Sequence, residues 1–170
     1  KVKWHYLARH WPAHLAAQLQ GPVRTHILGP DTDEVLAPMT AASARDILQK
    51  LMELYQQNLQ HPLAADVKTS CAYLTADPEK APLLDAEREY LGGYDRAGQV
   101  QQSEALARLW PDFDSLVLGR LPGDGHASDP AQQSSTTSAF VQHSTQLYQD
   151  LIEHWHLHRQ HPTADQRDRV

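Results

Sequence analysis

The chain has 170 residues and a net charge of −6, from 15 lysines and arginines against 21 aspartates and glutamates. This length is enough for one domain with a buried core. The acidic balance argues against a free-standing nucleic-acid-binding module, because such modules take most of their affinity from neutralising phosphates. It leaves room for local DNA contacts inside a larger assembly.

Cysteine content and hydropathy limit where the protein works. Cys71 is the single cysteine, so no internal disulfide can form, and we predict a reducing, cytoplasmic location. No apolar run approaches the roughly 18 residues that a membrane helix needs, so we expect no membrane partner. The sequence has neither an initiator methionine nor a signal-peptide pattern, and we expect it to be cut from a longer protein.

The first predicted elements are a helix and a hairpin. Apolar residues at helical spacing predict a helix that ends at Gly21-Pro22, with a kink or a new start at Pro12. Alternation over residues 23–28 predicts a strand, turn residues follow at 29–33, and residues 34–39 predict the returning strand. The helical stripe consists of Trp4, Leu7, Ala8, Trp11, Leu15 and Leu19.

The rest of the chain is predicted to be helical. Thr40 is a suitable N-cap for the strongest helix, which ends before His61-Pro62. The core-facing stripe of that helix is Ile47, Leu48, Leu51, Leu54, Tyr55 and Leu59. Further helices are predicted over residues 69–74, from Asp77-Pro78 to Leu91, over 101–109 and at about 139–158. The final helix carries Phe140, Leu147, Tyr148, Leu151, Ile152 and Trp155 on one face.

Residues 119–138 have the Gly-, Ser- and Thr-rich composition of a flexible segment. The predicted fold class is α+β, mostly helical with one β-hairpin. From the chain length, we expect residues 1–170 to form a single domain.

One set of residues has the letters of a nuclease motif. Pro30-Asp31 followed by Asp66-Val67-Lys68 matches the PD…DxK pattern, in which two carboxylates hold a divalent cation and a lysine orients water. The motif halves should lie on adjacent strands, but the predicted helix over residues 40–59 separates them. Asp31 also lies in a turn sequence that favours aspartate for local reasons. We therefore predict no catalytic residues.

Histidines and basic residues offer weaker candidates. His154, His156, His158 and His161 form a dense group, but no cysteine or suitably placed carboxylate completes a site, so we predict no metal and no cofactor. His10 and His14 are similarly spaced and lack a third ligand. Cys71 has no predicted base beside it and is expected to be a buried small residue. The possible DNA contacts are Lys1, Lys3, Arg9, Arg24 and Lys68.

The order of landmarks resembles the C-terminal part of the gamma subunit of exodeoxyribonuclease V, the RecC family, over about residues 4–118. The most informative part is a helix ending in His61-Pro62-Leu63, followed by Lys68-Thr69-Ser70 and Ala72-Tyr73-Leu74. The chain departs from the family pattern at residues 58–61, where a glycine is expected, and in the long segment 119–138. The segments that carry the resemblance are Trp11–Leu15 with Gly21, Thr25–Gly29, Ile47–Tyr55, Leu59–Leu63, Val67–Leu74, Asp77–Ala81 and Ala105–Phe113.

The resemblance implies a degenerate restriction-nuclease-like (PD-(D/E)xK-type) domain without catalytic acids. It further implies a subunit that joins RecB and RecD, contacts duplex and single-stranded DNA within the complex, and supports DNA-end unwinding, degradation and recombinational repair without catalysis of its own. Because this piece follows the first strands of such a domain, we expect exposed apolar faces.

Two alternatives stay open at this point. The first is a metal-dependent nuclease that uses Asp31, Asp66 and Lys68, which requires these side chains to converge. The second is an unrelated helical domain that binds a partner through the stripe from Phe140 to Trp155, which requires that stripe to be exposed.

Overall fold

The computed structural model describes residues 3–29, 32–123 and 138–160. Within these ranges the chain is mostly helical, with two small antiparallel strand pairs, which confirms the α+β class. The elements in chain order are α1 (Trp4–Gln18), β1 (Thr25–Gly29), β2 (Thr32–Leu36), α2 (Ala41–Asn58), α3 (Val67–Leu74), α4 (Pro82–Leu91), β3 (Gly92–Gly93), β4 (Arg96–Ala97), α5 (Gln99–Gln102), α6 (Glu104–Leu109), α7 (Phe113–Leu118) and α8 (Ala139–Gln160). None of the helices in these ranges has the length and hydropathy to span a bilayer.

The chain divides into two compact units. The first comprises Lys1–Tyr55 with Gln149–Val170, and the second comprises Gln56–Tyr148. Each unit has a hydrophobic core of its own. That residues 1–170 behave as a single domain stays a prediction.

The first unit is built on α1 and the β1–β2 hairpin. Helix α1 runs without interruption through Pro12, so no new helix starts there. The predicted hairpin is confirmed, with Thr25 opposite Leu36 and Gly29 opposite Thr32. Strand β2 begins earlier than predicted, at Thr32, and ends at Leu36. The core of this unit consists of Leu7, Trp11, Leu15, Ile27, Leu36, Ala44, Leu151 and Trp155.

The second unit packs short helices around aromatic side chains. The Tyr90 hydroxyl donates to the carbonyl oxygen of Trp110, which satisfies a buried polar group inside the core. The Ser144 hydroxyl donates to Ser70 at 2.8 Å, joining α8 to α3. The core consists of Ala64, Ala86, Tyr90, Trp110, Phe113, Leu116 and Phe140.

Several predicted boundaries in the second unit are wrong. Helix α4 begins at Pro82 and not near Pro78, because Asp77 accepts a hydrogen bond from the amide of Glu79 at 3.1 Å and forms a local turn. The predicted helix over 101–109 is two helices, α5 and α6, separated at Ser103, whose side chain accepts from the amide of Leu106 at 3.4 Å. Helix α7 and the β3–β4 pair had not been predicted.

The apolar stripes predicted for α2 and α8 have different outcomes. On α2, Leu54 is buried as predicted, but Tyr55 is 58% exposed, and Leu59, just after the helix end, is 68% exposed. On α8, four of the six stripe residues are buried: Phe140 in the second unit, and Leu151, Ile152 and Trp155 in the first. Most of the α8 stripe is therefore buried in the protein's own cores, and the helical partner-binding alternative loses the exposed stripe that it required. The predicted flexible segment lies mostly outside the described residues, at 124–137.

Candidate functional site

The second half of the nuclease-like pattern, Asp66-Val67-Lys68, lies at the start of a helix. Asp66 is the N-cap of α3, and one carboxylate oxygen, Oδ2, accepts from both the amide and the hydroxyl of Thr69, at 3.1 and 3.0 Å. Lys68 lies in the first turn of the same helix, so this DxK is not on a strand. Asp31 lies outside the described residues. The carboxylate of Asp66 is thus engaged in capping, a use that explains its presence without a metal.

The histidines occupy different surroundings. His154 places Nε2 3.0 Å from the carbonyl oxygen of Ala37, and the ring of His156 packs against the rings of Trp4 and Trp155. His161 and the side chain of His158 lie outside the described part of the chain. Within that part, no three histidine, cysteine or carboxylate side chains are grouped as metal ligands would be.

The thiol of Cys71 is completely buried in α3, as predicted. Burial raises its pKa to about 12, and the nearby Asp66 carboxylate acts in the same direction. The thiol is therefore protonated near neutral pH and is not a thiolate nucleophile.

A buried polar cluster holds α1 against the hairpin. Gln18 is 1% exposed; its Nε2 donates to the carbonyl oxygen of Val23 at 2.6 Å, and its Oε1 accepts from the amides of Val23 and Met39 at 3.1 and 3.2 Å. His14, also 1% exposed, places Nδ1 2.8 Å from the Thr25 hydroxyl. Gln18 thus supplies hydrogen-bond partners for backbone groups on either side of the hairpin, and His14 contacts the first strand through the side chain of Thr25.

Sequence reasoning missed the importance of both residues. His14 and Gln18 lie three and seven positions after Trp11, within the apolar stripe of α1, and the His14 ring stacks on Trp11 at a centroid distance of 5.6 Å. The available signal was a polar side chain on the buried face of a helix, which requires a hydrogen-bond partner.

The cluster makes stability depend on pH. Burial lowers the pKa of His14 below its usual 6.5, and the carbonyl of Ala37 opposes this only in part. Below about pH 6.5, His14 therefore binds a proton more readily in the unfolded chain than in the folded chain. The free energy of unfolding consequently decreases as the pH falls below about 6.5. For this one histidine we expect a slope of at most about 1.4 kcal/mol per pH unit.

Urea unfolding followed from about pH 7.5 to about pH 5 measures this slope. His14→Gln should flatten it, whereas Gln20→Ser, at an exposed position without a titratable group, should leave it unchanged. An equally steep profile in His14→Gln would contradict the assignment. His143 adds to the slope, since burial lowers its pKa and its Nδ1 accepts from the amide of Ala64 at 3.0 Å.

The candidate DNA contacts are dispersed. Lys3 precedes α1 and lies 5.9 Å from the ring centroid of Tyr6, Arg9 is exposed on α1, and Arg24 precedes β1. Lys68 belongs to the second unit, and Lys1 lies outside the described residues. DNA contact by these residues stays a prediction.

Exposed apolar side chains form a clearer candidate interaction surface on α2. Met52 and Tyr55 are 53% and 58% exposed and lie three residues apart, on one helix face. We call Met52 and Tyr55, both in the first unit, the α2 apolar stripe. Adjacent exposed apolar residues of this size are typical of protein contact sites.

Comparison with known families bears on this region. Residues 1–78 match the family model described as the RecC C-terminal domain. The similarity to that family covers 78 of the 170 residues. The RecC-type segment contains α1, the hairpin, α2 and α3, and therefore both the buried polar cluster and the α2 apolar stripe. The chain has no match among the curated proteins or the solved structures.

Proposed function

We propose that this chain is a non-catalytic structural and interaction domain of the exodeoxyribonuclease V complex, RecBCD, as part of its RecC subunit. The observation that carries the proposal is the RecC match over residues 1–78. In that role the domain supports the unwinding and degradation of DNA ends and recombinational repair by joining the RecB and RecD subunits. The net charge of −6 suits a structural domain better than a DNA-binding domain.

The chemistry of the RecC-type segment supports a role without catalysis. Two candidate catalytic groups among the described residues of this segment are engaged otherwise: Asp66 caps α3, and burial keeps the Cys71 thiol protonated. By contrast, the α2 apolar stripe lies in this segment with more than half of each side chain exposed. We propose that the stripe contacts a partner subunit, since burial of such side chains is the main favourable term in protein association.

The test is co-purification of the tagged 170-residue chain with RecB and RecD from the same organism. We expect the chain to retain at least one of the two subunits. The double variant Met52→Ser, Tyr55→Ser should weaken this binding roughly tenfold or more. Gln56→Ser, a change at an exposed polar position of the same helix, should not. Failure of a well-folded wild-type chain to bind either subunit would contradict the proposal.

Finer features of the proposal follow from the same resemblance. They are a restriction-nuclease-like ancestry, contact with duplex and single-stranded DNA inside the complex, and a cytoplasmic location. The two-stranded pairs among the described residues do not by themselves make the central sheet of a nuclease fold. A structure of the assembled complex would test the ancestry directly, by showing whether α1, α2 and α3 cover a larger sheet.

A further inference from the structure

A fully exposed aromatic side chain lies between β3 and β4 in the second unit. Tyr94 has no shielding from solvent at all, in a segment where Gly93 pairs with Arg96. The preceding helix adds Leu84 and Leu91, seven residues apart on α4 and 43% and 40% exposed. A ring held in water adds no buried apolar area to the protein's own core, so its burial requires a partner.

The loop that presents Tyr94 is held in place by its neighbours. Glu89 on α4 accepts from Arg96 at 2.5 Å and from Gln99 at 3.1 Å. The Gln102 side chain donates to the carbonyl oxygen of Ala97 at 2.5 Å. A Cβ on Gly98 would lie 2.2 Å from the carbonyl oxygen of Tyr90, so the backbone of the loop packs directly on the end of α4. A ring on such a fixed loop loses little conformational entropy on binding.

Charge around the loop indicates the class of partner. Residues 77–97 carry six carboxylates and three basic side chains. All three basic side chains are engaged by carboxylates of the same segment: Lys80 by Asp77, Arg88 by Asp85, and Arg96 by Glu89. Asp95 directly follows Tyr94 and adds to the negative excess. A nucleic-acid backbone would be repelled here, although a base could stack on tyrosine in a basic setting.

We propose that the Tyr94 loop is a docking element for a protein partner, with Tyr94 as the anchor and the exposed Leu84 and Leu91 of α4 as further apolar contacts. The partner presents an apolar pocket wide enough for a tyrosine ring, with a rim of lysine or arginine side chains that faces Asp95. This inference rests on the proposed function, because it adds a second contact to the same assembly, on a different element from the α2 apolar stripe.

The test measures affinity of the 170-residue chain for purified RecB and RecD by surface plasmon resonance. Tyr94→Ala is expected to weaken binding to one subunit roughly tenfold or more, whereas Tyr94→Phe keeps the ring and should bind within about twofold of wild type. Leu118→Ala, at a residue of α7 that is 50% exposed, is the matched control. Asp95→Asn should slow association and weaken its dependence on salt.

Each outcome separates the two proposals. If the wild-type chain binds neither subunit, the proposed function and the Tyr94 inference both fail. If it binds and Tyr94→Ala binds equally well, only the Tyr94 inference fails. A labelled oligothymidylate that binds the wild-type chain and is lost with Tyr94→Ala would assign the loop to single-stranded nucleic acid and overturn the protein partner. Circular dichroism of Tyr94→Ala should match wild type, because the side chain makes no buried contact.

Discussion

Replacing Gln18 with methionine is expected to lower the free energy of unfolding by about 2–4 kcal/mol. Methionine matches the length of the side chain but leaves the amides of Val23 and Met39, and the carbonyl oxygen of Val23, without the partners that Gln18 provides. A buried backbone group that loses its hydrogen bond costs about 1–3 kcal/mol. Val23 is 38% exposed, so water replaces part of its lost bonds, and the gain from burying methionine offsets a further part of the sum. The loss is large for a domain whose total stability is typically about 5–15 kcal/mol.

Urea unfolding monitored by circular dichroism measures the change, and Gln20→Met, at an exposed position two residues later, is the control. An unfolding midpoint equal to wild type would show that the Gln18 contacts add no net stability. The same titration tests whether the chain is one domain. In a single cooperative transition, tryptophan fluorescence, to which both units contribute, must shift with the circular dichroism signal.

The features that could be predicted from sequence are those fixed by local periodicity. The stripe of α1 and the alternation around Ile27 both gave the right element, because each pattern has only one regular backbone that buries its apolar residues on one side. Thr40 was predicted as an N-cap, and its hydroxyl accepts from the amide of Ser43 at 3.1 Å. Such caps act within one helical turn, so the sequence contains all the information they require.

Boundaries set by competing local bonds could not be predicted in the same way. Asp77-Pro78 and Pro82 are both acceptable helix starts, and only the turn at Asp77 decides for Pro82. Ser103 splits a helical pattern because its hydroxyl serves as a cap for α6. The prediction for the α2 stripe was wrong for a different reason. Helical spacing shows which residues share a helix face, but not how far the core extends along that face. Tyr55 lies beyond the end of the core.

In the candidate site, too, the local features could be predicted from sequence and the nonlocal contacts could not. Asp66 followed by Thr69 could have been recognised as a cap without a structure, since the carboxylate and the hydroxyl are three residues apart. The role of Gln18 depends on the backbone of Met39, 21 residues away, and no local pattern specifies that pairing. The exposure of Tyr94 likewise depends on how the segment from Gly92 to Gly98 folds back on α4. Nonlocal backbone contacts are what single-sequence reasoning lacks.

Gly98→Ala is expected to destabilise the second unit by about 2–4 kcal/mol and to displace the Tyr94 loop. The added Cβ would lie 2.2 Å from both the carbonyl carbon of Leu91 and the carbonyl oxygen of Tyr90. These atoms are backbone at the end of α4, so relief requires the chain to move and not a side chain to rotate. Overpacking of this kind typically costs about 1–3 kcal/mol, and more when backbone must shift.

Gly93→Ala is the matched control from the same strand pair. A Cβ there meets nothing within 4 Å, and Gly93 does not have a positive φ, so the substitution should change the free energy of unfolding by less than about 0.5 kcal/mol or stabilise slightly. Comparable losses for the two variants in urea unfolding would contradict the close packing of Gly98 on α4. If Gly98→Ala still folds, it should also bind the partner subunit more weakly than Gly93→Ala, because an anchor ring on a displaced loop no longer meets its pocket preorganised.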